Sequence, residues 1–311
     1  MGSNPTLSAI SFRDIGMSTL QLDLDDRILW VRLNRPEQLN AFDVAMGDEL
    51  EAAFRDASRN DDVGAVVVTG NGKAFCAGAD LTREGNVFAL DEDARPDMAM
   101  LRERFDDPEI VSGIRDKGGR VALAIHDCRK PVIAAINGVA VGVGATMTLA
   151  MDFRLASTAA KMGFVFARLG VVPEACSTWF LPRLVGMQQA LEWCMTGDIF
   201  DAEAGKAAGL IRSLHEPDAL LADAEAFARR LIKDRSPAAL AVTRQMLRRN
   251  AALPDPVEAH LIETLAMFDL SRSDGKEGVA AFMEKRKAAF TDKASALPGD
   301  LEALFPDSSA N

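Results

Sequence analysis

Two unbroken apolar runs that each pass straight into glycines limit the folds open to this chain. Ala65-Val-Val-Val-Thr69 leads into a glycine-rich turn from Gly70 to Gly78, and Pro131-Val-Ile-Ala-Ala-Ile136 leads to Gly138, Gly142 and Gly144. A helix-like segment from Ala145 to Met151 follows the second turn. Apolar runs without alternation are the pattern of strands covered on both faces, as in parallel sheets flanked by helices. Where such strands end in turns that start helices, free backbone N–H groups gather at one sheet edge. The fold class is therefore α/β, and that edge is where chemistry is expected.

The remaining segments fit around this frame. Residues 1–17 follow neither period and read as a flexible leader. Alternation from Thr19 to Leu24 and from Ile28 to Leu33, about a turn at Asp25-Asp26, predicts an antiparallel strand pair. Asp43 is the expected N-cap of a helix carrying Met46, Leu50, Phe54 and Ala57 on one face and ending at Asn60-Asp61-Asp62. Within a core of residues 18–215, the charged and uneven stretch 82–120 is too long for a simple connection and reads as a pocket or lid insertion. After Leu214, the segments 217–233, 237–250, 256–270 and 274–290 are helical in pattern. Three have Pro at or near the first turn and the last has an Asp274/Glu277 capping arrangement, giving a C-terminal helical module over 216–290. Residues 291–311 read as a loose tail.

Composition excludes several classes of function. No apolar run approaches the roughly 20 residues that span a bilayer, and no basic segment, apolar stretch and cleavage site open the chain. A cytoplasmic enzyme is expected. Cys76, Cys128, Cys176 and Cys194 are scattered, and with three histidines they offer no metal-ligand spacing, so the thiols are read as reduced and no metal is expected. A formal net charge of −11 repels polyanions and disfavours nucleic acid, while a phosphorylated small molecule needs only one or two local cations.

Four motifs, in order, carry a resemblance. They are Asn34-Arg-Pro-Glu-Gln-Leu-Asn-Ala-Phe42, Gly72-Lys-Ala-Phe-Cys-Ala-Gly-Ala-Asp-Leu81, Lys130-Pro-Val-Ile-Ala-Ala-Ile-Asn-Gly-Val-Ala-Val-Gly142 and Phe282-Met-Glu-Lys-Arg-Lys287. Over roughly residues 18–290 the chain resembles the crotonase superfamily, the enoyl-CoA hydratase/isomerase family. The resemblance implies a spiral of ββα repeats with a C-terminal helical module that builds a homotrimer or a dimer of trimers. It implies a coenzyme A thioester as substrate, with no permanently bound cofactor. An oxyanion hole made of two backbone N–H groups matches Ala79 and Val143, the latter standing where the family usually has glycine. Contacts to coenzyme A match the main chain at Ala77, Asp80, Leu81 and Thr82, with Phe282 and Lys285 reaching the coenzyme of a neighbouring subunit. Glu37 stands where some relatives carry a coenzyme-contacting lysine.

The resemblance also narrows the reaction. Hydration in this family uses two glutamates, and the matching positions here hold Thr146 and Phe166, neither an acid or base near neutral pH. The run Pro173-Glu174-Ala-Cys-Ser-Thr178 is similar instead to a motif of the Δ3,Δ2-enoyl-CoA isomerases, in which the glutamate is the base. Glu174 is thus expected to be a lone catalytic carboxylate that shifts a double bond from the 3 to the 2 position of an enoyl-CoA, in fatty-acid or related acyl-CoA metabolism. Burial among Phe164, Phe166, Val172 and Trp179 is expected to raise its pKa. An acid just after Pro173 also suits a plain helix start. The alternatives are a hydratase with rearranged acids and a non-catalytic coenzyme-binding scaffold. Asp80, Asp152 and Glu192 are read as structural, Asp80 as a cap of the next helix, and Cys176 as a small buried side chain rather than a nucleophile.

Overall fold

A computed structural model describes residues 17–82 and 84–306. In chain order it begins with an antiparallel hairpin, β1 (Leu20–Asp25) and β2 (Ile28–Leu33), then α1 (Val44–Arg59). The Asp43 carboxylate accepts from the Met46 N–H at the start of α1, and Asn60 ends that helix. Next come β3 (Ala65–Gly70), β4 (Ala74–Cys76), and the short helices α2 (Met98–Glu103) and α3 (Pro108–Gly113), before α4 (Lys117–Asp127). A second unit holds β5 (Val132–Ile136), β6 (Val139–Val141) and α5 (Val143–Leu149). A third holds β7 (Phe153–Ser157), β8 (Lys161–Gly163), α6 (Ser177–Val185) and α7 (Met187–Thr196). The rest is β9 (Ile199–Asp201), α8 (Ala202–Ala207), β10 (Ser213–His215), α9 (Leu220–Ile232), α10 (Pro237–Asn250), α11 (Pro256–Arg272), α12 (Asp274–Glu284) and α13 (Leu301–Leu304).

The strands form two sheets, ordered β1-β2-β3-β5-β7-β10 and β4-β6-β8-β9. In the large sheet all pairings after the first hairpin are parallel. Each long strand of the three units is followed by a short one that crosses to the other sheet. Glycine makes that crossing possible: a Cβ at Gly138 would stand 2.1 Å from the Lys73 carbonyl oxygen, and one at Gly144 would stand 2.2 Å from that of Cys76. Successive units therefore touch backbone to backbone. Asparagines fasten the turns, Asn137 Oδ1 accepting from the Gly70 N–H and the Asn40 amide donating to the carbonyls of Asn71 and Ala74.

The unalternating runs have the predicted cause. Val66, Val68, Val132, Ala134 and Ile136 face a main core with Phe54 of α1, Ile125 of α4 and Met147 of α5, while Ala65, Val67, Ile133 and Ala135 face α9 through Leu220, Ala224 and Phe227. Both faces of the sheet are covered, and the α/β expectation holds.

Three local expectations are corrected. The last long helix ends at Glu284, and its N-cap is Ser273, with no side-chain cap bond. Asp274 instead accepts from the Thr291 and Asp292 N–H groups, and Glu277 takes Arg286 and the Ala289 N–H. Those acids are spent on folding the following chain back. Accordingly, residues beyond 290 are not loose as far as 306: Ala294, Leu297, Leu301 and Phe305 are buried against α10 and α11, and Arg129 pairs with Glu302. The helix expected from Pro217 starts at Leu220. The leader reading falls on residues outside those described, apart from Met17, which packs against the main core. No described helix is long and apolar enough to cross a membrane.

Candidate active site

The glycine turns after β3 and β5 open on one cavity of about 630 Å³, lined among others by Ala79, Leu81, Asp116, Val143, Phe166 and Glu174. Two backbone donors face it. Phe42 pairs with Ala79 as an isolated parallel bridge, in which the Phe42 N–H donates to the Gly78 carbonyl and the Asp80 N–H to the Phe42 carbonyl. That pattern turns the Ala79 N–H away from Phe42. Val143 is the first residue of α5, where an N–H has no acceptor within the helix. Neither donor meets an acceptor among the described residues. Two such fixed amides, one at a helix start, can hold a developing oxyanion without reorganising, and loss of one donor of this kind costs about 3 kcal/mol of barrier.

Glu174 reaches the same cavity from the loop after β8. Ala175 and Cys176, with φ of 57° and 54°, both take the left-handed conformation that residues with a Cβ avoid. This double turn makes Cys176 the N-cap of α6 and leaves the Glu174 carboxyl free of capping. The plain helix-start role is therefore absent. Thr146 Oγ1 donates to Glu174 Oε1 at 2.5 Å, so the threonine at a hydratase acid position engages the glutamate itself. Phe166, at the other acid position, is buried in the apolar wall.

Glu174 is not the lone carboxylate expected from the sequence. Asp116, the N-cap of α4, stands near enough for its charge to act on it. Asp116 Oδ1 accepts from the Gly119 N–H, and from the Ala175 N–H at 3.4 Å. Burial first, and the Asp116 charge second, push the Glu174 carboxyl up to about 8, while the Thr146 hydrogen bond pulls the other way. Asp116 was hidden in the sequence because it closes the charge-rich stretch before α4, far from Glu174 along the chain. The available signal was Asp116-Lys-Gly-Gly119, a capping acid followed by two glycines where a helix ordinarily prefers side chains.

The other site residues are only partly brought together. Ala77, Asp80, Leu81 and Thr82 line the cavity, but the Ala77 N–H donates to the Leu39 carbonyl and the Thr82 N–H to Asp80 Oδ1. Asp80 caps no helix: its hydrogen bonds to Thr82 and Arg35, the latter at 2.8 Å, hold its carboxyl down at about 2. Phe282 and Lys285, at the end of α12, do not line the cavity, and Phe282 is 82% exposed. Burial raises the Cys176 thiol to about 11, so it is no nucleophile at neutral pH. Asp152 is structural, accepting from Val132 N–H and Arg244 at 2.8 Å each.

The family model described as enoyl-CoA hydratase/isomerase matches residues 23–293. The chain belongs to the enoyl-CoA hydratase/isomerase family. It is 36% identical over 290 residues to the enoyl-CoA hydratase ACTT3 of Alternaria alternata, covering 92% of this chain and 91% of that one. It is 32% identical over 275 residues to the 1,2-epoxyphenylacetyl-CoA isomerase of Escherichia coli strain K12, covering 86% of this chain and 95% of that one. Among solved structures, the enoyl-CoA hydratase of Bacillus anthracis superposes with a TM-score of 0.74 at 28% identity, covering 88% of this chain and 99% of that one. The crotonase resemblance read from the four motifs holds, and hydratase names outnumber isomerase names among these relatives.

Proposed function

We propose that this family member shifts the double bond of a 3-enoyl-CoA to the 2 position, with Glu174 carrying the proton. The observation that carries the reading is the Glu174 carboxyl in one cavity with two unengaged N–H donors, at Ala79 and Val143. The thioester oxygen would sit on those donors. Ionised Glu174 takes the C2 proton, and the C2–H electron pair moves into a dienolate whose negative oxygen the two N–H groups hold. The protonated Glu174 then gives that proton to C4, the C2=C3 double bond forms, and the carbonyl is restored. One carboxyl completes the cycle, which agrees with the absence of acids at Thr146 and Phe166. A carboxyl pKa near 8 suits the task, since a base is most effective when its pKa lies near the working pH.

The coenzyme would run past Ala77, Asp80, Leu81 and Thr82, with Phe282 and Lys285 supplied by a neighbouring copy in a trimer or a pair of trimers. Exposed Phe268, Val279, Phe282 and Met283 on α11 and α12 support self-association, because a single chain leaves them in water. The alternation of strands between two sheets supports the reading of the core as a spiral of ββα repeats.

A second reading, hydration of a 2-enoyl-CoA, is favoured by Asp116, which supplies the second carboxylate that water activation ordinarily uses, and by the relatives named hydratases. Assays of 3-enoyl-CoA against 2-enoyl-CoA separate the two. The isomerase reading expects turnover of the 3-enoyl thioester, and a Glu174→Gln protein that folds, binds acyl-CoA and loses about 10²–10⁴-fold in rate. Formation of the 3-hydroxy product from 2-enoyl-CoA, with the 3-enoyl isomer untouched, would select hydration.

A further inference from the structure

Two consecutive glycines in the first turn of α4 each vacate the space of one carboxylate. A Cβ on Gly118 would stand 1.7 Å from Glu174 Oε2, and a Cβ on Gly119 would stand 2.7 Å from Asp116 Oδ2. Glycine is unfavourable in a helix, so its presence at both positions calls for a reason. The reason on hand is that two acids from distant segments meet over this turn. We infer that Asp116 is a positioning residue, whose carboxylate over this turn keeps a proton on Glu174 in the resting protein.

The geometry assigns the charge and the proton to different members. Asp116 is the N-cap of an eleven-residue helix, accepting from the Gly119 N–H and from the Ala175 N–H, and a helix start favours negative charge. The cations flanking it in sequence do not neutralise it, since Arg115 pairs with Asp106 at 3.0 Å and Lys117 with Asp48 at 3.0 Å. Among the described residues, the Glu174 carboxyl takes a hydrogen bond from the Thr146 hydroxyl and none from a backbone N–H. The remaining titratable groups about it are Cys76 from β4 and Cys176 before α6, both held as neutral thiols by burial. Arg35 is committed to Asp80 and Asp43. A carboxylate held by backbone amides disfavours a second negative charge over the same turn, so Glu174, which lacks that support, holds the proton.

This deepens the proton-transfer reading of Glu174 and rests on it for its consequence. With Glu174 acting as base, the singly protonated pair is the resting, inactive form, and loss of that proton switches the site on. Turnover of 3-enoyl-CoA then rises with pH through the titration of the pair. Were Glu174 to act first as an acid, turnover would fall over the same range.

The test is an infrared titration of the full chain without substrate, from about pH 5 to about pH 10, following the carbonyl stretch of a protonated buried carboxyl. Wild type should keep this band at neutral pH, and Glu174→Gln should lack it. Asp116→Asn and Asp116→Ser, which both retain an N-cap oxygen, should move its midpoint down by about one pH unit or more. The rising limb of kcat/KM should move with it. An unchanged midpoint in both Asp116 variants, or a band that survives Glu174→Gln, would overturn the positioning role of Asp116. Absence of 3-enoyl-CoA turnover with the infrared shift intact would remove the isomerase reading and leave the pair standing.

Discussion

The two sides of this cavity are built in opposite ways. The N–H side, at Ala79 and Val143, is backbone held by glycine turns that sit directly after strands, and each turn is written in its own short segment. The carboxylate side joins Glu174, from the loop before α6, to Asp116, from the start of α4, over the two glycines that follow Asp116. The first is rigid because the main chain has nowhere else to go. The second is a meeting of side chains whose electrostatics exist only once the chain has folded. Substitutions should therefore damage the two sides differently, in folding on one and in chemistry on the other.

The largest effect should come from the backbone side. Gly138→Ala places a Cβ against the Lys73 carbonyl, with no flexible side chain to yield, and should cost more than about 4 kcal/mol, read as loss of soluble protein or a collapse of the denaturant midpoint. Gly118→Ala should act in the other way. The new methyl displaces the Glu174 carboxyl and crowds the Val143 side chain at 3.1 Å, both of which border the cavity, so the protein should stay folded and turnover of its acyl-CoA substrate should fall about 10²-fold. If the two variants lost stability equally, the contrast between the sides would fail.

A control lies away from the site. Leu301 is fully buried against α10 and α11, and Leu301→Ala should destabilise by about 2–4 kcal/mol in denaturant melts. No change would restore the loose tail that the sequence suggested. The smallest effect is electrostatic. The Glu174 carboxyl is raised in the folded state, so the folded protein holds more protons than the unfolded one between the ordinary carboxylate range and about 8. Stability contributed by this group is thus present at low pH and lost as pH rises through about 8. Glu174→Gln should accordingly melt higher than wild type above pH 8, by on the order of 1 kcal/mol, and the gap should close by about pH 5. A gap that widened toward acid would mean the carboxyl is stabilised as an anion.

Much of the fold was legible because its causes are short-range. The covered strands announced themselves as unalternating Val and Ile, the first helix as a capped apolar stripe, and the cavity edge as glycine following each strand. The short strands β4, β6, β8 and β9 were not legible, since three residues are too few for a period. Glu174 was found through its motif, but its partner was not. A capping aspartate looks the same whether its outer face meets water or another acid. The acids at Asp274 and Glu277 misled for the same reason, since what they bind is the chain that follows, not their own helix start.

By itself, then, the sequence determined the α/β frame, the family and the position of the N–H edge, because strand burial, glycine sterics and helix starts act within a few residues. Only the tertiary structure decided that Asp116 stands beside Glu174, that Thr146 grips the glutamate rather than replacing an acid, and that the chain beyond α12 closes the third core. Each of those is a contact between segments far apart in the chain. Its strength depends on burial and on which charges are already engaged, quantities that no stretch of sequence carries alone.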